Sequence, residues 1–235
     1  MANATVSDVA RSVLVAGGSG GLGGAVVARL AADGWRVVVA DRRAGSAEMS
    51  RDAQYVIADL FDPDAAASAV EVAAGEPDSP LGAVVNLVGG FAAGGLVHQT
   101  SVDQFEEQLR LNLRAAYLVC HFAVPHLLGL GRGSIVCVSS RAAVQPFPGA
   151  AGYVTAKAAV LGLVDALAVE YRSSGIRANA VLPSIIDTPA NRAAQPDADV
   201  SRWVAPSDVA DVIAYLCSDA SFAVSGAHIP VYGEA

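Results

Sequence analysis

The chain has 235 residues, a formal net charge of −8 and an apolar composition rich in alanine and glycine, with few charged side chains. That length fits one α/β domain with a full core, and that composition excludes an intrinsically disordered chain. An acidic chain with no basic block lacks the clustered cations that bind a phosphate backbone, so no nucleic-acid partner is expected.

Residues 1–11 show no basic segment followed by an apolar run, so no secretory signal is read there. No uninterrupted apolar run reaches the ~18 residues of a membrane span, and no membrane partner is expected. Cys120, Cys137 and Cys217 follow no metal spacing. They read as reduced, buried thiols of a cytoplasmic protein, and no metal is expected.

Taken in chain order, apolar runs of strand length fall at 12–16, 36–40, 54–58, 83–88, 134–139, 176–182 and 226–231. Helical patterns fall between them at 21–32, 63–73, 101–128, 152–173 and 207–218. Short runs that are apolar throughout read as strands buried on both faces. Their alternation with helices predicts a single-domain α/β Rossmann fold spanning residues 1–235. It is doubly wound, with a parallel sheet of about seven strands and helices on both faces. Ser101-Val102-Asp103-Gln104 carries a capping-box signature at the start of the long helix. Segment 189–205, rich in Pro, Asn, Asp and Arg, is the least structured stretch and reads as a lid over a site.

The first strand runs into Gly17-Gly18-Ser19-Gly20-Gly21-Leu22-Gly23. Gly18, Gly20 and Gly23 satisfy G-x-G-x-x-G between a strand and a helix. Glycines there permit a tight turn and close approach to a pyrophosphate seated on the helix N-terminus. Asp41 ends the second strand, at the distance expected for an acid that binds a ribose. A carboxylate accepts hydrogen bonds from the hydroxyls of an NAD ribose and repels the 2′-phosphate of NADP. The adjacent Arg42 and Arg43 suit that phosphate instead. NAD(H) is favoured and NADP(H) remains possible. The loop also reads as G-x-S-x-G around Ser19, with Asp187 and His228 following in serine-hydrolase order. Its place on the first strand, with glycines on either side, argues against a nucleophile.

One lysine stands against fourteen arginines. It is Lys157, four residues after Tyr153, so both side chains leave one helix face. A free tyrosine, with a pKa of about 10, is a poor proton donor or base near neutrality. A nearby ammonium stabilises its anion and brings the pKa toward working range. Ser139 and Ser140 end the fifth strand, where a parallel sheet presents groups to a ligand.

With these motifs the chain resembles the short-chain dehydrogenase/reductase family over nearly its whole length. Residues 16–23 resemble the family's T-G-x-x-x-G-x-G, with Ala16 in place of threonine. Asp59-Leu60 resembles the pair that contacts adenine, and Asn86-Leu87-Val88-Gly89 stands where the family has N-N-A-G. Asn112, Ser140, Tyr153 and Lys157 match the catalytic tetrad. Pro183-Ser184-Ile185-Ile186-Asp187-Thr188 resembles P-G-x-x-x-T. The resemblance implies that Gly17, Ser19, Gly20, Gly21, Leu22, Gly23, Asp41, Arg42, Asp59, Leu60, Asn86, Gly89, Pro183, Ile186 and Thr188 hold a dinucleotide, with Tyr153 and Lys157. It implies hydride transfer between nicotinamide C4 and a small-molecule carbonyl or alcohol. Ser140 then polarises the carbonyl and Tyr153 moves the proton. Lys157 lowers the tyrosine pKa and bonds the ribose, while Asn112 helps hold a relaying water. It further implies a homotetramer or homodimer.

Residues 89–95 and the lid also resemble the quinonoid dihydropteridine reductases of that family, which leaves reduction of a dihydropterin by NADH as an alternative. Ser140 points back to an ordinary carbonyl or alcohol. A reading of another class, a cofactor-binding sensor or interaction protein without catalysis, remains beside these.

Overall fold

The computed structural model describes residues 10–44 and 53–234, which leaves most of the N-terminal stretch read for a signal outside the described residues. Seven strands form one sheet: β1 (Ser12–Ala16), β2 (Arg36–Asp41), β3 (Ala53–Ile57), β4 (Leu81–Asn86), β5 (Gly133–Val138), β6 (Ile176–Pro183) and β7 (His228–Val231). Every pairing is parallel, in the order β3-β2-β1-β4-β5-β6-β7. The helices are α1 (Gly23–Ala32), α2 (Pro63–Ala74), α3 (Val102–Leu109), α4 (Ala115–Leu130), α5 (Ala151–Glu170), α6 (Pro189–Ala194) and α7 (Pro206–Cys217).

The inner strands are largely apolar because each feeds two cores, while the edge strands β3 and β7 are only partly buried. Val13, Val15, Val37, Val39, Val85 and Val136 face one side, with Val26 and Leu30 of α1 and Ile213 and Leu216 of α7. The alternate residues Leu14, Ala16, Val38, Ala40, Val84 and Ile135 face the other, with residues of α2, α4 and α5. This is the two-residue period of a strand, buried on both faces. Each fully buried Val or Leu contributes about 1.5–3 kcal/mol. By length and composition alone, Val102–Leu130 and Ala151–Glu170 match a membrane span. That differs from the sequence expectation, which counted only uninterrupted apolar runs. The buried residues of α4 and α5 pack in the core beneath the sheet.

Local signals set most helix ends. Ser101 Oγ accepts from the Gln104 amide and the Gln104 side chain accepts from the Ser101 amide, completing the predicted capping box. Asp62 caps α2 ahead of Pro63, and Gly131 (φ 69°) closes α4 in the left-handed conformation. Two expectations need correction. The helix expected over 101–128 is interrupted by a π-helical turn, Arg110–Arg114. Asn112 sits in it, with its side-chain amide donating to the carbonyls of Gln108 (3.0 Å) and Gly90 (3.0 Å). The segment 189–205 is also more ordered than its composition suggested. Thr188 caps α6, Val200–Arg202 forms a 3-10 turn, and Ile186 bridges to Val204.

Within the first loop, a Cβ on Gly23 would lie 2.0 Å from the Gly18 carbonyl oxygen, while one on Gly20 would meet only the Gly17 carbonyl at 3.6 Å. Gly23→Ala is therefore expected to lose ~2–4 kcal/mol and lower Tm by on the order of 5–15 °C in a thermal melt. Gly20→Ala is expected to stay within ~0.5 kcal/mol of the parent. Equal melting temperatures for the two variants would contradict this account of the loop.

Candidate active site

Strand order reverses between β1 and β4, and the crevice opens at the carboxyl ends of the strands there, where doubly wound sheets take ligands. Two adjoining clefts occupy it. One, of about 210 Å³, is lined by Gly17, Gly20, Asp41, Arg42, Asp59 and Leu60, among others. The other, of about 220 Å³, is lined by Ser140, Tyr153, Lys157, Pro183 and Ile186. Leu87 and Gly89 line both, so the clefts form one continuous trough.

The first cleft fits the adenosine and pyrophosphate of a dinucleotide. Gly17 has φ 80°, and a Cβ there would stand 3.0 Å from the Val88 amide nitrogen. Only glycine serves where the chain turns that closely. Helix α1 begins behind Leu22 with no side-chain cap and no acid in its first turn. Its amide groups stay available to an anion. Asp41 Oδ2 accepts from the Ser19 amide (3.1 Å), and Ser19 Oγ donates to the Arg43 carbonyl (3.0 Å). These bonds tie the glycine loop to the end of β2 and leave the other Asp41 oxygen with no protein partner among the described residues. Asn86 Oδ1, at the end of β4, is buried without a hydrogen-bond partner among the described residues, as a group that serves a ligand would be. Gly21 abuts Thr188, where a Cβ would come within 2.9 Å of its side chain.

The serine-hydrolase reading fails on geometry. The Ser19 hydroxyl is bonded to a backbone carbonyl, Asp187 pairs with Arg192, and His228 pairs with Asp165. No two of the three meet.

In the second cleft, Ser140 follows β5 and Tyr153 and Lys157 lie in the first turns of α5. Ser139 Oγ donates to the Lys157 carbonyl (2.8 Å) and pins α5 to the strand end. Lys157 Nζ donates to the Val138 carbonyl (3.1 Å) and lies 6.0 Å from the Tyr153 ring centroid. Asn112 does not line either cleft. Its Oδ1 accepts from the Gly90 amide (3.1 Å), so its side chain clamps the turn beside Lys157. Gly89 makes room for this: a Cβ would fall 2.9 Å from Lys157 Nζ and 2.8 Å from Asn112 Oδ1. Sequence reasoning missed Asn191, whose amide donates to the Ile186 carbonyl (2.8 Å) as it lines the second cleft. It also missed Phe61 and Leu111 in the first.

A larger cavity, about 710 Å³, lies at the opposite, amino ends of β4 to β6. There Arg11 and Arg132 pair with Asp219, and Arg177 donates to the Leu216 and Ser218 carbonyls at the end of α7. Guanidinium groups at helix carboxyl ends are a structural arrangement, and none of the site groups reaches it.

Burial decides the electrostatics. It holds the Tyr153 phenol above its ordinary value, and the hydrogen bond with Ser140 pulls the other way. The expected lowering of the tyrosine by Lys157 is not found: burial is the larger of these two causes, and the Lys157 ammonium is not one of them. Burial also lowers Lys157 from 10.5 to about 8, opposed by Cys137. The charged form is thus penalised in the folded state. Below pH 8 the full penalty applies. It fades as pH rises from 8 to 10.5, because the folded protein gives up this proton before the unfolded chain does. Lys157→Met is expected to raise stability at pH 7 by on the order of 2 kcal/mol, net of the bond lost to Val138. That advantage should vanish as pH rises and turn into a small deficit by pH 10.5, where the penalty is gone and the lost bond remains. Melts of both proteins across this range check it, and a variant less stable at pH 7 would refute it.

The family model described as enoyl-(acyl carrier protein) reductase matches residues 16–233. The chain is 33% identical to 2-(R)-hydroxypropyl-CoM dehydrogenase of Xanthobacter autotrophicus, over 96% of this chain and 98% of that protein. It superposes on a short-chain type dehydrogenase/reductase from Mycobacterium ulcerans with a TM-score of 0.89 at 28% identity, covering 95% of this chain and 89% of the other. It also superposes on a Beutenbergia cavernae protein, described as a candidate NAD(P)-dependent gluconate 5-dehydrogenase and solved with bound NADP at low occupancy, with a TM-score of 0.86 at 29% identity and 97% coverage of both. With a trough suited to a dinucleotide leading to a serine, a half-buried phenol and a lysine, these likenesses make the chain a member of the short-chain dehydrogenase/reductase family. It is an oxidoreductase that moves a hydride between a nicotinamide cofactor and a carbonyl or alcohol carbon.

Proposed function

We propose that Tyr153 is the general acid and base of this reaction, with Ser140 and Lys157 as its partners. The observation that carries this reading is the second cleft, where Ser140, Tyr153 and Lys157 converge at the end of the trough suited to a dinucleotide. A bound nicotinamide supplies the hydride in reduction and accepts it in oxidation. Ser140 donates its hydroxyl to the substrate oxygen. Tyr153 gives that oxygen a proton in reduction and takes it back in oxidation. The ammonium of Lys157 limits the cost of the tyrosinate and reaches toward the ribose hydroxyls. Asn112 acts through Gly90, holding the turn beside Lys157, and is a positioning residue.

NAD(H) is the preferred cofactor in this reading. The support is Asp41, which keeps one carboxylate oxygen for ribose hydroxyls while the other braces Ser19. The Beutenbergia protein holds NADP, and Arg42 and Arg43 are the groups that would meet its 2′-phosphate here. Arg42 is turned over the Phe61 ring, 5.7 Å from its centroid, which favours the carboxylate as the deciding group. Three unpaired, buried cysteines support a cytoplasmic location. Exposed Tyr117 and Val169 on the long helices support assembly into a dimer or tetramer.

Tyr153→Phe should keep cofactor affinity within about threefold and lower kcat by about 10²–10⁴-fold. Retained turnover would remove the assignment. Asp41→Asn should cut the ratio of kcat/KM for NADH over NADPH by about 10–100-fold, the worth of hydrogen bonds to a charged group. An unchanged ratio would leave cofactor choice to Arg42 and Arg43.

A further inference from the structure

We propose that Phe91 and Phe147 are specificity-determining residues, forming an aromatic wall that selects substrates whose reacting carbon is attached to a flat apolar ring. This deepens, and rests on, the assignment of Tyr153.

Phe91 follows the Gly89-Gly90 turn after β4, and Phe147 lies between β5 and α5. They come from separate loops and meet beside the catalytic phenol. The Phe91 ring stands edge-to-face with the Tyr153 ring, centroids 5.0 Å apart at 89°. Phe147 tilts against Phe91 at 6.3 Å and 43°. Both spacings lie in the range where aromatic rings attract. The three rings are one surface that begins at the proton donor and runs outward.

That surface is not spent on the core. Phe91 is 64% exposed and Phe147 is 44% exposed. Val144, on the same segment as Phe147, and Ile185, on a third segment after β6, are exposed as well. Contiguous apolar surface left open at the mouth of a site marks a ligand face. Phe91 as a mere prop for Tyr153 would not require Phe147 to stand in the open behind it.

Charge narrows the class. Among the side chains that line the catalytic cleft, Lys157 alone is charged, and its ammonium is bonded to the Val138 carbonyl. The neighbouring guanidinium groups are engaged: Arg141 with Gln145 and over the Tyr232 ring, Arg192 with Asp187. Among the described residues no free cation stands there for an anionic head. A neutral aromatic or similarly flat ring fits the wall. A ring laid on Phe91 exchanges water for ring contact, where an open chain of equal carbon number gains less and must be ordered first.

The test uses full-length protein with NADH and two ketones of eight carbons, acetophenone and 2-octanone. Turnover is measured, and acetophenone binding is followed by saturation-transfer NMR. The parent protein is expected to prefer acetophenone in kcat/KM by about tenfold or more. Phe91→Ala and Phe147→Ala should each bring the two ketones within about threefold, through KM rather than kcat, and weaken acetophenone binding by about tenfold. Phe91→Tyr should restore the preference and Phe91→Leu should not. Melting temperatures of these surface variants should match the parent. Preference for 2-octanone, absence of acetophenone binding, or an unchanged ratio in both alanine variants would overturn the proposal. So would a Phe91→Ala variant that dissociates a parent oligomer yet keeps the ratio, which would assign the wall to subunit packing. Full activity in Tyr153→Phe would instead remove the catalytic assignment itself, so the two failures are distinguishable.

Discussion

A parallel sheet covered on both faces gives its polar groups one place to work, the ends of its strands. In this protein the alternate residues of β1, β2, β4 and β5 enter two separate cores. Neither face can host a charge without its partner, since an unpaired buried charge is costly. The chemistry therefore collects at the carboxyl ends: the glycine loop after β1, Asp41 ending β2, Asn86 ending β4, Ser140 after β5 and Pro183 ending β6. The reversal of strand order between β1 and β4 parts the loops there and turns a row of strand ends into a trough.

Close backbone approach then fixes what the trough can hold. Gly17 lies against Val88, Gly21 against Thr188, and Gly89 against Lys157 and Asn112, with no room for a Cβ at any of them. The same tightness buries Lys157 to 5% exposure and lowers its pKa. A buried ammonium works against folding and in favour of a reaction that needs a nearby positive charge. Functional groups of this kind are held by surroundings that over-determine their position, here Ser139 at the backbone of Lys157 and Val138 at its tip.

Much of this was legible in the sequence. The inner strands announced themselves because burial on both faces makes their residues largely apolar. Ser101 and Gln104 form their cap because all its parts lie within four residues. Tyr153 and Lys157 share a helix face by spacing alone. What stayed hidden depends on contacts between distant segments. The π-helical turn exists with Asn112 reaching Gly90, and helix propensity carries no record of that bond. Phe91 meets Tyr153 only after β4 and α5 are assembled. The raised pKa of Tyr153 required knowing how deeply it is buried; the spacing to Lys157 alone suggested the opposite direction. Helix α6 was a readable signal passed over, since Thr188 and Pro189 are an N-cap and a first-turn proline.

The π-helical turn carries one residue more than an α-helical turn would use. Each residue of an α-helix advances the side-chain direction by about 100°, so the insertion re-phases the rod at Arg110–Arg114. Helix α3 packs against α5, while α4 packs against α2 and beneath β4 and β5. A single uninterrupted helix would present one continuous stripe to both sets of neighbours. The extra residue lets two stripes, out of step with each other, belong to one continuous element. The halves of this helix are thus free to diverge in sequence, one answering to the catalytic helix and the other to the sheet, with Asn112 as the coupling between them.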